Sequence, residues 1–394
     1  MSTARARDLG IPFDGQPGQW NAITDVPGLT AGYATLIDGD GPLVRGQGPV
    51  RSGVTAILPR GRSGVGVACA AGSYSMNGNG EMTGLTWVEE SGSLAQPILV
   101  TSTHAVGACH HGAVQWVADH HPLVAAKWSL PLVAETWDGY LHDINGAHVT
   151  ADHAIAALDD ARTGPLPEGS VGGGTGMNCY GYKGGSGTSS RVVQYAGSTY
   201  TVGVFVQANF GSRHELTIAG VRLGETLADD NPMETSEWFG LDMRRAAPGG
   251  AGSVIVIVAT DAPMLPGQCK AMARRVPLGL ARTGTCGSHF SGDIFLTLST
   301  ANEGALTSDF ADTDASADAY ETLRFVPWGA VDPFFDAVVQ GVEEAVVNAL
   351  VANHTLTGRQ MIGRDGNRSP ALPIERVVTA LGAADTIEQQ RGER

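Results

Sequence analysis

Ser253 stands at a boundary in the chain. Before it runs Pro248-Gly249-Gly250-Ala251-Gly252, a stretch with almost no steric restriction, and after it runs Val254-Ile255-Val256-Ile257-Val258. An unbroken β-branched run of this kind reads as a strand buried on both faces. The glycines leave the preceding chain free to take up almost any turn. A hydroxyl at the mouth of a core strand suits a self-cleaving precursor, because cutting Gly252–Ser253 would expose a new N-terminal serine on a rigid element. The competing account is a Gly-rich surface loop leading into an ordinary strand.

Other polar residues stand at the edges of apolar runs. Ser291 and Asp293, two apart in Ser291-Gly292-Asp293, project on one face if that segment opens a strand. A serine hydroxyl bonded to a carboxylate can relay a proton or orient a nucleophile; the alternative is a turn in which Asp293 caps nearby N–H groups. Asn209 ends another run and carries a side-chain amide able to donate to an oxyanion, worth about 2.7–4 kcal/mol in a transition state. Its alternative role is a turn residue before Gly211. Glu135 ends a third run, where a carboxylate is costly unless it meets a cation. That cation is either a substrate ammonium or an Arg or Lys of the protein.

Several familiar signatures fail. Gly181-Tyr182-Lys183-Gly184-Gly185 lacks the GK[ST] ending of a phosphate-binding loop. No serine sits in a G-x-S-x-G frame. His110, His111, His120 and His121 cluster on one candidate helix without HExxH or a carboxylate grouping, so no metal and no cofactor is expected. The glycine- and hydroxyl-rich stretches 171–178 and 183–191 read either as backbone pressed against a site or as a pair of hairpin turns.

The elements that must position these residues follow from periodicity. Apolar runs predict strands over 54–58, 65–70, 97–101, 132–135, 201–208, 254–260 and 294–299. Helical spacing predicts helices over 105–121, 151–162, about 268–275 and 333–353. In the last, Phe335, Val338, Val339, Val342, Ala345, Val346 and Ala349 recur on one face. Strands and helices mixed in this way favour one layered α/β body with a sheet interior and a helical exterior. Residues 225–252 read as a linker, and the polar tail beyond about 384 as frayed.

Composition bounds the function. The 394 residues, 42% hydrophobic and 16% charged, describe a globular protein. A formal charge of −15 argues against nucleic acid or an anionic membrane as partner. No run approaches the roughly 18 apolar residues of a membrane span, and no apolar segment follows the N-terminal arginines as in a secretory signal. Five cysteines without a CxxC pair read as buried, reduced thiols. These features point to a cytoplasmic protein.

Ordered motifs carry a resemblance over most of the chain, from Ile23-Thr-Asp-Val-Pro-Gly-Leu29 to Glu343-Glu-Ala-Val-Val-Asn-Ala-Leu350. Between them lie Gly53-Val-Thr-Ala-Ile-Leu-Pro59, Asn77-Gly-Asn-Gly-Glu-Met-Thr-Gly84 and Glu135-Thr-Trp-Asp-Gly139. Gly173-Gly-Thr-Gly-Met177, Lys183-Gly-Gly-Ser-Gly-Thr-Ser-Ser-Arg191, Gly252-Ser253 and Gly292-Asp-Ile-Phe295 complete the set. The chain resembles the self-processing serine aminopeptidases that include β-peptidyl aminopeptidases and L-aminopeptidase/D-amidase-esterases.

That resemblance implies an αββα sandwich similar to N-terminal-nucleophile hydrolases but with a different strand order. It implies cleavage at Gly252–Ser253 into α (1–252) and β (253–394) polypeptides that stay together as one folded unit, assembled as a homotetramer of αβ pairs. Ser253 would be the nucleophile, assisted by Ser291 and Asp293. Asn209 would fall at the oxyanion and Glu135 at the substrate's amino group. The substrate would be a small peptide or aminoacyl amide whose first residue is a β-, D- or small L-amino acid. A related amidase or acyltransferase acting on non-peptide amides is the alternative. Some members carry a tyrosine where this chain has Trp137, in the substrate pocket; an indole N–H donates but neither accepts nor ionises. Position 293 takes Asp or Glu in the family, and Asp293 has the shorter reach.

Overall fold

Side chains of the apolar run 254–260 alternate between two cores. Val254, Val256 and Val258 enter one, Ile255, Ile257 and Ala259 the other. That alternation defines the layers. The computed structural model of the protein describes residues 4–235, 250–308, 320–360 and 366–392.

A four-stranded sheet has the order β1 (Thr30–Asp38), β2 (Val50–Leu58), β5 (Ile98–Ser102) and β6 (Leu132–Thr136). A six-stranded sheet has the order β4 (Ser93–Leu94), β3 (Cys69–Gly78), β14 (Gly292–Ser299), β13 (Gly250–Thr260), β10 (Ser198–Gly211) and β9 (Gly185–Tyr195). Three short ladders accompany them: β7 (Asn178–Cys179) with β8 (Tyr182–Lys183), β11 (Thr217–Ile218) with β12 (Val221–Arg222), and β15 (Leu356–Gln360) with β16 (Gly366–Ser369).

The inner faces of the two large sheets meet through Ile57, Ile98, Val100, Ala134, Phe205, Ile255, Ile257 and Leu296. Helices Val106–His120 and Ala151–Asp160 cover the smaller sheet, packing Cys109, Trp116, Ala154 and Leu158 on Val54, Leu58, Leu99 and Val133. Helix Asp332–Val351, with Pro266–Ala273 and Val276–Arg282, covers the larger one through Phe334, Val338, Val342 and Val346. The order helix, sheet, sheet, helix is the αββα sandwich.

Most expected elements stand within a few residues of their place, and four readings need correction. Residues 65–68 precede a strand that begins at Cys69 and runs to Gly78. The stretch 183–191 is chiefly the long strand β9. Its hydroxyls find partners inside the fold, Thr188 Oγ1 donating to the Val204 carbonyl at 2.8 Å, Ser189 Oγ to the Gly341 carbonyl at 2.6 Å and Ser190 Oγ to the Asp25 carboxylate at 2.7 Å, so a polar strand can be buried. The linker reading fails for residues 225–235: Leu227 is buried, and Arg213 donates to its carbonyl at 2.9 Å. Residues 236–249, including Pro248-Gly249, lie outside the described residues. Lastly, the C-terminal segment continues as helix Ile374–Gly392.

Candidate active site

Strand β13 starts at Gly250, so Ser253 lies three residues inside the strand and not at its first residue. It is the registry partner of Asn209 on antiparallel β10 and of Gly292 on parallel β14. Asn209, Ser253 and Gly292, the last standing between the expected Ser291 and Asp293, therefore lie side by side on adjacent strands. Ser253 is 5% exposed, and its Oγ accepts the Gly292 N–H at 3.3 Å. Gly252 has to be small, because a Cβ there would collide with the Asn209 carbonyl oxygen.

Ser291 and Asp293 meet as the spacing predicts, the serine hydroxyl donating to Oδ1. Oδ2 accepts from Asn77 Nδ2 at 2.8 Å, and the same amide donates to the Ser288 carbonyl at 3.0 Å. Burial pushes the Asp293 pKa up, while the Ser291 and Asn77 hydrogen bonds pull against it.

The Asn209 side chain is held at both ends. Oδ1 accepts the Asn178 N–H at 2.9 Å, and Nδ2 donates to the Trp137 carbonyl at 3.0 Å. With Oδ1 engaged, the second Nδ2 hydrogen is the group left to donate. Trp137 thus touches this corner through its backbone, while its half-buried ring packs beside Tyr140 and Leu141.

Glu135 is the penultimate residue of β6 and is 3% exposed. Oε1 accepts the Glu81 N–H at 2.9 Å, and Oε2 accepts from Thr103 Oγ1. Burial raises its pKa against those two bonds. Gly80 connects it to the nucleophile's strand pair, for a Cβ there would lie 3.0 Å from Gly292 Cα and 3.2 Å from Glu135 Oε1. Next along the chain, Asp138 is fully buried, receives Ser52 Oγ at 2.7 Å and Ser102 Oγ at 2.8 Å, and is also raised by burial. Among the described residues Glu135, Asp138 and Asp293 all lack an ion-pair partner. No group of three or more His, Cys, Asp or Glu side chains among those residues is arranged to hold a metal ion.

The profile of Peptidase family S58 matches residues 21–363. The chain belongs to that family. A β-peptidyl aminopeptidase of Sphingosinicella microcystinivorans is 48% identical over 356 residues, 90% of this chain and 87% of the relative. Its counterpart from Sphingosinicella xenopeptidilytica is 44% identical over 91% of this chain and 87% of its own. Among solved structures, the L-aminopeptidase D-Ala-esterase/amidase of Ochrobactrum anthropi superposes with a TM-score of 0.84 at 41% identity, covering 97% of this chain and 99% of that one. It is described as a prototype for the serine aminopeptidases and a new variant of the Ntn hydrolase fold.

The S58 peptidase is thus a hydrolase of the serine-aminopeptidase type, on a variant Ntn fold. The comparisons favour that function over an amidase for non-peptide substrates. Sequence reasoning passed over Asn77, Asp138, Asn178 and the role of Lys183. Asp138 and Lys183 carried a usable signal, since each is a charge among residues that must be buried. Asn178 carried none, because it acts through a backbone N–H that almost any residue possesses. Among the described residues no helix is long and apolar enough to cross a membrane.

Proposed function

We propose that the chain is made as a precursor that cuts its own Gly252–Ser253 bond, and that mature Ser253 then removes N-terminal residues from small peptides and aminoacyl amides. The register that aligns Asn209, Ser253 and Gly292 on three adjacent strands carries the proposal. In the precursor, Ser253 Oγ attacks the Gly252 carbonyl carbon and the C–N bond breaks. This leaves an ester on Oγ and a free Ser253 α-amine. Water hydrolyses the ester, leaving a carboxylate on Gly252. A strand that holds the hydroxyl beside the bond supplies the orientation that makes such intramolecular attack fast, with effective molarities of about 10⁵–10⁸ M.

The new α-amine, with an ordinary pKa of about 7.7–8.0, serves as base for its own hydroxyl at neutral pH. Ser253 Oγ attacks the carbonyl after the substrate's first residue. The oxyanion takes the free Nδ2 hydrogen of Asn209 and a backbone N–H, the amine product leaves, and water releases the acyl group. Ser291 and Asp293 assist proton movement beside Gly292. Glu135 receives the substrate's ammonium, the cation that its surroundings do not supply, and Trp137 borders the pocket. The free amine requirement makes the enzyme an exopeptidase. Its first residue is a β-, D- or small L-amino acid, by analogy with the named relatives. The two polypeptides, 1–252 and 253–394, stay interleaved, since β13 and β14 pair with β10 and β3 in one sheet. Assembly as a homotetramer in the cytoplasm completes the proposal; four of the five cysteines are buried free thiols, in keeping with a reducing compartment.

Intact mass spectrometry under denaturing conditions tests it. The wild-type protein is expected as two species of about 26 and 15 kDa by length fraction of the 40.8 kDa chain, the smaller beginning at Ser253. Ser253→Ala is expected as one uncut species without turnover. An S253A protein that still splits at this bond sinks the scheme.

A further inference from the structure

The glycine-rich stretch that matches no phosphate loop holds Lys183, one of three lysines in the chain beside Lys127 and Lys270. Lys183 is fully buried in the β7–β8 hairpin, and no carboxylate of the described residues pairs with it. Its Nζ donates to three backbone carbonyls, Gly184 at 2.7 Å, Met177 at 2.8 Å and Gly174 at 3.4 Å. An ammonium group has three donors and these carbonyls take them, yet a buried charge without a counter-ion is costly. Burial accordingly pushes its pKa down to about 7. A methionine would fill the same volume without that cost, so the donors themselves need a purpose.

The Met177 carbonyl supplies one. It belongs to the peptide whose other end is the Asn178 N–H, the group that holds Asn209 Oδ1 at 2.9 Å. Gly184 N–H grips the same carbonyl from a second direction at 2.9 Å. A planar peptide held at its oxygen by an ammonium and an amide cannot turn its N–H away. Donation to the oxygen also strengthens donation by the N–H. The chain of contact runs from Lys183 Nζ through one peptide to the Asn209 amide.

We propose that Lys183 is a positioning residue for the oxyanion site: it locks the Met177–Asn178 peptide, and through it the Asn209 side chain, so that Nδ2–H faces the reacting carbonyl. This assignment rests on Asn209 acting as oxyanion donor. Lys183 touches neither substrate nor nucleophile in that scheme. Its backbone is pinned independently, its N–H donating to Pro370 O at 2.7 Å and its carbonyl accepting Asn353 Nδ2 at 3.1 Å. The hairpin therefore has anchors that a side-chain replacement leaves in place.

The test is a double-mutant cycle on the full-length protein with K183M, N209A and K183M/N209A, and K183Q beside them. Readouts are kcat and KM on an aminoacyl amide, the rate of self-cleavage, and the melting temperature. N209A is expected to lose on the order of 10²–10³-fold in kcat. K183M is expected to lose about 10–100-fold in kcat, with KM within about threefold, since a misplaced donor is felt only as the oxyanion forms. The double variant is expected to be no slower than N209A alone, because Lys183 acts through Asn209. K183Q, whose amide can still reach a carbonyl, is expected to recover part of the loss. A variant that does not self-process is read by its cleavage rate, which draws on the same oxyanion site.

A K183M enzyme within twofold of wild type in kcat overturns the proposal, and so do losses that multiply in the double variant, as a purely structural role requires. N209A with wild-type kcat marks a different failure, that of Asn209 as oxyanion donor. If K183M does not fold, K183Q takes its place in the cycle. If neither folds, Lys183 belongs to the core alone and the proposal falls.

Discussion

Two buried glutamates in this molecule have opposite surroundings. Glu344, on the inner face of helix Asp332–Val351, is fully buried and closed on every side. Arg7 Nε reaches it at 2.9 Å, Arg191 Nη2 at 2.8 Å and Asn21 Nδ2 at 2.6 Å. Burial alone would raise its pKa, yet these three partners hold it below the ordinary carboxylate value. Glu135 is almost as buried and, among the described residues, receives only a backbone N–H and a hydroxyl, and its pKa is raised. Glu344 has its counter-charge inside the fold and is a structural clamp tying the N-terminal segment to β9. Glu135 is buried away from water, and among the described residues no cation pairs with it. The contrast separates a carboxylate that finishes the structure from one whose counter-charge the proposed substrate ammonium would supply.

The largest effect is expected from breaking the closed site. In Glu344→Gln the side-chain NH2 must face donors, and Arg191, 1% exposed at its side chain, loses its counter-charge. Breaking one side of such a buried pair costs about 3–5 kcal/mol, or a melting temperature lower by about 5 °C in a chain of this length. The processed variant should keep kcat/KM within about twofold of wild type. A thermal scan with no measurable loss would mean that Glu344 is not a clamp. Next in size is Glu135→Gln. A glutamine keeps the acceptor for the Glu81 N–H and can donate to Thr103, so the fold is expected to hold. Loss of the charge partner for a substrate ammonium is expected to cost about 2–4 kcal/mol, on the order of 10²-fold or more in kcat/KM for free-amine substrates. N-blocked substrates, poor already, should not change, so the preference for a free amine collapses. A variant that keeps its free-amine preference removes Glu135 from substrate recognition.

The two glutamates also differ in how far sequence alone could reach. The isolated carboxylate of Glu135 at the end of an apolar strand announces a cost that something must offset, and that reasoning needs no coordinates. Glu344 sits within a helix whose apolar face was legible, but its arginine partners arrive from residues 7 and 191, and periodicity carries no information about such distant pairings. The β-branched strands were legible because length and alternation suffice for them. Strand β9 was not, because its serines and threonines look like turn residues until their partners inside the fold are known. Ser291 and Asp293 followed from the two-residue repeat of a strand. The frame of Asn209 did not, since it is built from a backbone N–H and a backbone carbonyl.

The smallest effect discriminates between the two sites by its sign. A carboxylate whose folded pKa lies above its unfolded value stabilises the fold when protonated, and that contribution fades as pH rises through the folded pKa. Glu135 is such a group. At neutral pH its ionised form is therefore a liability in the unliganded enzyme, and Glu135→Gln is expected to melt slightly higher than wild type. The advantage should shrink as pH falls through the raised pKa and vanish below the unfolded value of 4.5, where both side chains are neutral. Glu344 runs the other way: its contribution is present above 4.5 and is lost as pH falls through its lowered pKa. Melting curves of wild type, E135Q and E344Q from pH 7 down to about pH 3 measure both slopes in one experiment. E135Q melting below wild type at pH 7 would show Glu135 to be as closed as Glu344, with its charge already satisfied inside the fold and no vacancy for a substrate amine.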